Sequence, residues 1–213
     1  MSPTNPIDPA TAHGLSACWS CQGPVAAGEP FCPTCGAVQP PGQADHFTRL
    51  GLPRAFDVDL QALDRAYFAR QRALHPDRMA RHSARERAIA ESQSVSLNDA
   101  YETLRDPMRR AGYMLAAAGR PVAGDGATID DHALLSETME AREALMEAAT
   151  ETEVAALAAR AAADRAACLA DVAGAFAAGD LDAARRHATR LRYLVKLVEE
   201  AHRRRLSLAG KAA

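Results

Sequence analysis

Two apolar stripes separated by a proline constrain this chain more than any other feature. Leu60, Leu63, Tyr67 and Leu74 follow Asp59, a helix-capping residue type, and lie on one helical face. Leu97, Ala100, Tyr101 and Leu104 recur at i, i+3, i+4 and i+7. Between the stripes stands His75-Pro76-Asp77. Proline lacks the N–H that helix continuation needs and disfavours helical geometry in the residue before it, so the first helix stops at His75. The second is expected from about Ser83 to Arg105. Two such helices bury their stripes by packing antiparallel, which puts His75, Pro76 and Asp77 at a hairpin tip.

The same texture continues to the end of the chain. Asp106-Pro107 suits the N-cap and first position of a shorter helix stopped by Gly119, and the stretch RPVAGDGAT reads as a flexible connection. A third region opens at about Asp130 and runs to Ala148. Thr150 with Glu153 forms a capping box for a long alanine-rich helix ending near Gly179, and Asp180 caps the last helix. Three helices joined by short breaks bury their stripes as an antiparallel bundle. The expected fold is therefore all-α: residues 1–44 as a small appendage, 45–119 as a helical hairpin domain and 120–213 as a three-helix bundle. Every apolar run is cut by a charge before the roughly 18 residues a membrane span requires. The opening MSPTNPIDPATAHG resembles neither a secretory signal nor a transit peptide, which predicts a bacterial cytoplasmic location over the mitochondrial matrix.

Residues 1–44 differ in kind: they are rich in proline and glycine and hold Cys18, Cys21, Cys32 and Cys35 in two C-x2-C pairs, ten residues apart. Two such knuckles complete a tetrahedron around one ion, and four thiolates leave no open position for water. A closed, structural Zn2+ site is expected in preference to iron. Redox chemistry at a CxxC pair lacks its usual βαβ context. A nucleic-acid-binding ribbon is disfavoured because 1–44 contains no Lys or Arg to meet phosphate. Residues 39–44, QPPGQA, read as a linker, so removing the metal is expected to unfold the knuckle alone. Cys168, isolated in the alanine-rich helix, reads as a small buried hydrophobe.

The proline tip carries the partner-facing chemistry. Asp77 offers a carboxylate to a partner arginine, while Arg65, Arg70, Arg72 and Arg78 offer positive charge to an acidic surface. An acid–base role for His75 and Asp77 lacks a nucleophile, a phosphate loop and an open metal position, so no enzyme activity is expected. From DHFTRLGL through LRDPMRRAGYML, roughly residues 45–118, the chain resembles a J-domain, the module by which co-chaperones engage DnaK-class ATPases. The resemblance implies that His75, Pro76 and Asp77, with the basic face, contact that chaperone and trigger its ATP hydrolysis.

The client is written elsewhere. LLSETMEAREALMEA (134–148), TRLRYLVKL (189–197) and the order of parts resemble the HscB family of iron–sulfur cluster assembly. The CWSC…FCPTCGAVQPP segment is similar to the zinc-bearing variant of mitochondrial-type members. Leu135 and Met139 can form an exposed stripe flanked by Glu140, Glu143 and Glu147. Periodicity alone buries Leu135, Met139 and Tyr193 in the bundle; the resemblance instead implies that they contact the scaffold IscU. Ser136 stands where the family often has a bulky apolar residue, and Tyr193 where phenylalanine is common. The expected function is delivery of IscU to an HscA- or DnaK-class chaperone, with a general J-protein for other clients as the alternative and self-association left open.

Overall fold

The computed structural model describes residues 14–122 and 132–209, and the chain divides into two compact units, 1–106 and 107–213. Asp130, at the expected opening of the third region, lies outside the described residues.

The first unit begins with the knuckle. Strand β1 (Ser16–Ala17) pairs antiparallel with β2 (Pro24–Val25), and an isolated bridge joins Phe31 to Val38. Helix α1 (His46–Leu50) follows, capped by Asp45, whose side chain accepts from the Thr48 N–H. Helix α2 (Leu60–Leu74) starts where expected, with the Asp59 carboxylate accepting from the N–H groups of Gln61 and Ala62. Helix α4 (Ala84–Arg105) has a complete capping box: Ser83 Oγ accepts from the Glu86 N–H, and the Glu86 carboxylate accepts from the Ser83 N–H. Both α1 and α2 pack on α4. Phe47, Leu50, Leu63, Leu97 and Leu104 are fully buried, and burial of each such side chain contributes about 1.5–3 kcal/mol.

Three sequence expectations change here. Leu60 is 48% exposed: it is the first helical residue, and the buried stripe begins at Leu63. The connection at the hairpin tip is not a plain loop, because Pro76–Met79 form a short helix, α3. Residues 39–44 are not a free linker either. Gln39 is buried, its carbonyl accepts from Gln93 Nε2 on α4, and the carbonyls of Pro41 and Ala44 accept from Arg49 of α1.

The capping box gives a first prediction. Ser83→Ala removes a side-chain acceptor from the start of α4 and is expected to cost about 1 kcal/mol, read as a lower urea midpoint. The Ser83 N–H, with help from His82, holds the Glu86 carboxyl below its ordinary value. Its contribution is therefore present above the unfolded Glu pKa and is lost as pH falls through the lowered folded value. Ser83→Ala keeps the backbone N–H and loses only the hydroxyl's 2.9 Å bond to that carboxylate, so the difference between wild type and variant is expected to narrow in acid by that smaller share alone.

The second unit is also helical: α5 (Pro107–Ala117), α6 (His132–Glu147), α7 (Glu151–Ala177) and α8 (Leu181–Ala209). The expected caps are in place, with the Thr150–Glu153 box on α7 and the Asp180 carboxylate accepting from the Ala183 N–H at the start of α8. Gly119 and Gly179 adopt the positive φ that ends α5 and α7. Helix α8 packs on α5, α6 and α7, so the last three helices form the expected bundle and α5 adds to it. Compactness thus groups residues 107–117 with the bundle. Cys168 is buried and its thiol donates to the His187 carbonyl, while burial pushes its pKa up to about 11. Among the described residues, no helix is long and apolar enough to cross a membrane.

Candidate functional site

The four cysteines converge. Their sulfurs lie within 4.8 Å of one another, with Cys18 to Cys35 and Cys21 to Cys32 each at 3.7 Å. A tetrahedron with Zn–S bonds of about 2.3 Å has edges of about 3.8 Å, so the cluster fits that ion. The two knuckles repeat one backbone geometry. The N–H of Gln22 bonds the Cys18 carbonyl at 3.0 Å, and the N–H of Gly36 bonds the Cys32 carbonyl at 2.9 Å. Both Gln22 and Gly36 have positive φ, 63° and 75°. Glycine takes that conformation freely, whereas at Gln22 it costs about 1–2 kcal/mol, held by the surrounding turn.

The charge pattern also suits a cation. Burial raises the Cys18 and Cys32 thiols, but backbone N–H groups and neighbouring thiols bring both below the ordinary value. At Cys21 the Gly23 N–H lowers the pKa, yet the other thiols and burial leave it raised. Four thiols this close cannot all ionise without a cation, and a divalent ion removes that conflict. N–H groups from Ser20 and Gln39 point at Cys18 Sγ, both at 3.3 Å, and the Gly23 N–H points at Cys21 Sγ at 3.4 Å. Such bonds orient metal-bound thiolates.

At the proline turn, His75 both ends α2 and caps α3. Its Nδ1 accepts from the Asp77 N–H at 3.2 Å, which places the neutral ring's proton on Nε2. Pro76 occupies the first helical position, where its missing N–H costs nothing. The Asp77 side chain is 91% exposed, in the first turn of α3. Arg65, Arg72 and Arg78 are exposed; Arg65 also lies 3.9 Å from the Asp59 carboxylate. Arg70 sits elsewhere. It is half-buried, with its guanidinium against Gly51, where an added Cβ would come within 3.3 Å of Nη2. Sequence reasoning missed Phe68, which is 56% exposed and one turn from both Arg65 and Arg72. The i, i+3, i+7 spacing of those three residues was the available signal.

In the second unit, Leu134, Thr138 and Leu145 face inward from α6. That leaves Met139 61% exposed and Leu135 half-buried, with Glu140, Glu143 and Glu147 exposed. Met146, 76% exposed, extends the same stripe and was overlooked, although it lies seven residues from Met139. Ser136 Oγ donates to the Glu140 carboxylate at 3.0 Å. Arg142 of α6 grips Glu200 of α8 through two bonds, at 2.9 and 3.0 Å, and fixes the helix pair. Tyr193 is half-buried in a hollow of about 420 Å3 between α6, α7 and α8, which Glu140 also lines. The hollow is bridged by the ion pair of Arg190 with Glu137, at 2.7 Å. The structure thus brings Tyr193 and Glu140 to one hollow and presents Leu135 and Met139 on the adjoining stripe.

The family model described as the HSCB C-terminal oligomerisation domain matches residues 130–202. Over 195 residues the chain is 32% identical to the iron-sulfur cluster co-chaperone protein HscB of Homo sapiens, covering 90% of this chain and 83% of that protein. It is 44% identical over 110 residues to a co-chaperone protein HscB homolog of Bordetella petrii, covering 52% of this chain and 65% of that relative's length. The crystal structure of human co-chaperone protein HscB matches with a TM-score of 0.82 at 32% identity, over 90% of this chain and 99% of that one.

Proposed function

The chain belongs to the HscB family, and from that premise we propose that it is a co-chaperone of iron–sulfur cluster assembly, bringing the scaffold IscU to an HscA- or DnaK-class chaperone. The observation that carries the reading is the pairing, within an HscB-type chain, of an exposed His-Pro-Asp turn with an exposed Met139 stripe beside an acidic row.

The two ends of the mechanism use different chemistry. At the turn, Pro76 fixes the backbone and Asp77 presents its carboxylate to a chaperone arginine, a charge-assisted bond in a partly desolvated contact. Arg65, Arg72 and Arg78 steer the encounter toward acidic chaperone surface, and Phe68 supplies apolar area between the first two. Arg70, half-buried against Gly51, is the member of the basic set that stands apart from this face. ATP hydrolysis belongs to the chaperone, so this chain acts by binding and by stimulating. On the bundle, Leu135 and Met139 provide the apolar contact, Tyr193 extends it into the hollow, and Glu140, Glu143 and Glu147 favour a basic rim on the scaffold. The cysteine cluster holds a structural metal, with zinc the ion its geometry suits; when bound, that ion ties the two knuckles together.

Calorimetric titration of IscU tests the reading. Saturable binding with a Kd on the order of 10 μM or tighter, about −7 kcal/mol, is expected. A chain that ignores IscU and instead binds unfolded apolar peptides is a general J-protein, which overturns the assignment.

A further inference from the structure

The cysteine cluster is joined to the buried face of α4 by an unbroken chain of hydrogen bonds. Gln39 Nε2 donates to Cys18 Sγ at 3.3 Å, and the Gln39 carbonyl accepts from Gln93 Nε2 at 2.8 Å. Gln93 Oε1 in turn accepts from Arg49 Nη1 at 3.5 Å, and Arg49 Nη2 returns to the carbonyls of Pro41 and Ala44 at 3.0 and 3.1 Å. Gln39, Gln93 and Arg49 are 6%, 3% and 6% exposed. Two further contacts join the same parts. The Arg85 guanidinium, in the first turn of α4, lies 4.0 Å from the centre of the Trp19 ring, whose Nε1–H donates to the Val38 carbonyl at 2.7 Å. The 26–29 turn presses on α1 so closely that a Cβ on Gly28 would stand 2.7 Å from the Thr48 carbonyl oxygen.

Buried polar groups in a chain of this kind hold their value only while every partner is in place; losing one leaves the next donor desolvated and unsatisfied. Cys18 is one end of the chain and also a member of the metal-fitting cluster, and Trp19 is its neighbour. We propose that metal occupancy of the cysteine cluster and packing of the α1–α4 base form one thermodynamic unit, with Gln39 and Gln93 as the positioning residues that transmit it. The proposal rests on the metal reading given above. Its consequence opposes independent unfolding of the knuckle: loss of the ion loosens the start of α4, the end into which the α3 connection leads.

Hydrogen exchange on the full chain, zinc-loaded and then stripped with EDTA, tests this. On stripping, amides of residues 86–97 are expected to exchange about tenfold faster or more, together with those of the knuckle, while α7 and α8 stay unchanged. In Gln93→Leu, which leaves all four cysteines in place and is expected to take up zinc, the response of α4 is expected to shrink to a small fraction. Arg85 is exposed, so Arg85→Ala preserves the fold if Gln93→Leu does not, and it is expected to reduce the response about threefold. Zinc uptake with no change in α4 on stripping overturns the coupling. A chain that takes up no zinc overturns the metal reading and the coupling together.

Discussion

Asp77→Asn is expected to abolish stimulation of the partner chaperone while leaving the fold and scaffold binding unchanged. The side chain is 91% exposed in the first turn of α3, so no core contact is lost. Asparagine keeps the size and one carbonyl acceptor but removes the charge. Truncating one member of a hydrogen-bonded charge pair at an interface costs about 2–5 kcal/mol, or roughly thirtyfold and upward in an equilibrium constant. Phosphate release by the chaperone, measured with and without the variant, reads the effect directly. Thermal unfolding and IscU calorimetry serve as controls, and both are expected to match wild type. A variant that stimulates normally removes Asp77 from the mechanism.

Leu135→Ser combined with Met139→Ser is expected to weaken scaffold binding about a hundredfold, or roughly 3 kcal/mol, with little change in stability. Met139 is 61% exposed and Leu135 half-buried, whereas Leu134, Thr138 and Leu145 carry the inward face of α6. The pair therefore contributes little to folding, but residues that carry an interface's energy cost more than about 1 kcal/mol each when truncated, so about 1.5 kcal/mol apiece is expected here. The serines leave Glu140, Glu143 and Glu147 in place, so the salt dependence of residual binding is expected to persist. An unchanged IscU isotherm moves the contact away from this stripe. Chaperone stimulation by the variant in the absence of scaffold is expected to remain at the wild-type level, because the turn at Asp77 is untouched.

How the molecule reads from its letters depends on the range of each interaction. The caps at Asp59, Thr150 and Asp180 act within three residues and are found where the pattern places them, and Ser83, expected only as the approximate start of α4, proves to be its cap. The cysteine spacing is nearly as local, since each knuckle is closed by a hydrogen bond within its own turn. Helix α1 escaped notice because five residues are too few to show a period, and only its Asp45 cap marks it. Met146 and Phe68 lay on visible stripes, but a stripe does not say whether it faces a neighbour or solvent.

By itself the sequence determined the all-α architecture, the bounds of most helices, the four-sulfur cluster and the proline turn, because each follows from contacts between residues close along the chain. Only the tertiary structure decided which faces remain open and what the knuckle leans on. Gln93 finds its partner Gln39 54 residues away, and Arg142 finds Glu200 at a separation of 58. No periodicity announces such pairs. They depend on how whole helices come to rest against one another, and that choice leaves Met139 exposed, folds Arg70 against Gly51 and turns an expected linker into the strap between the cysteine cluster and a helix.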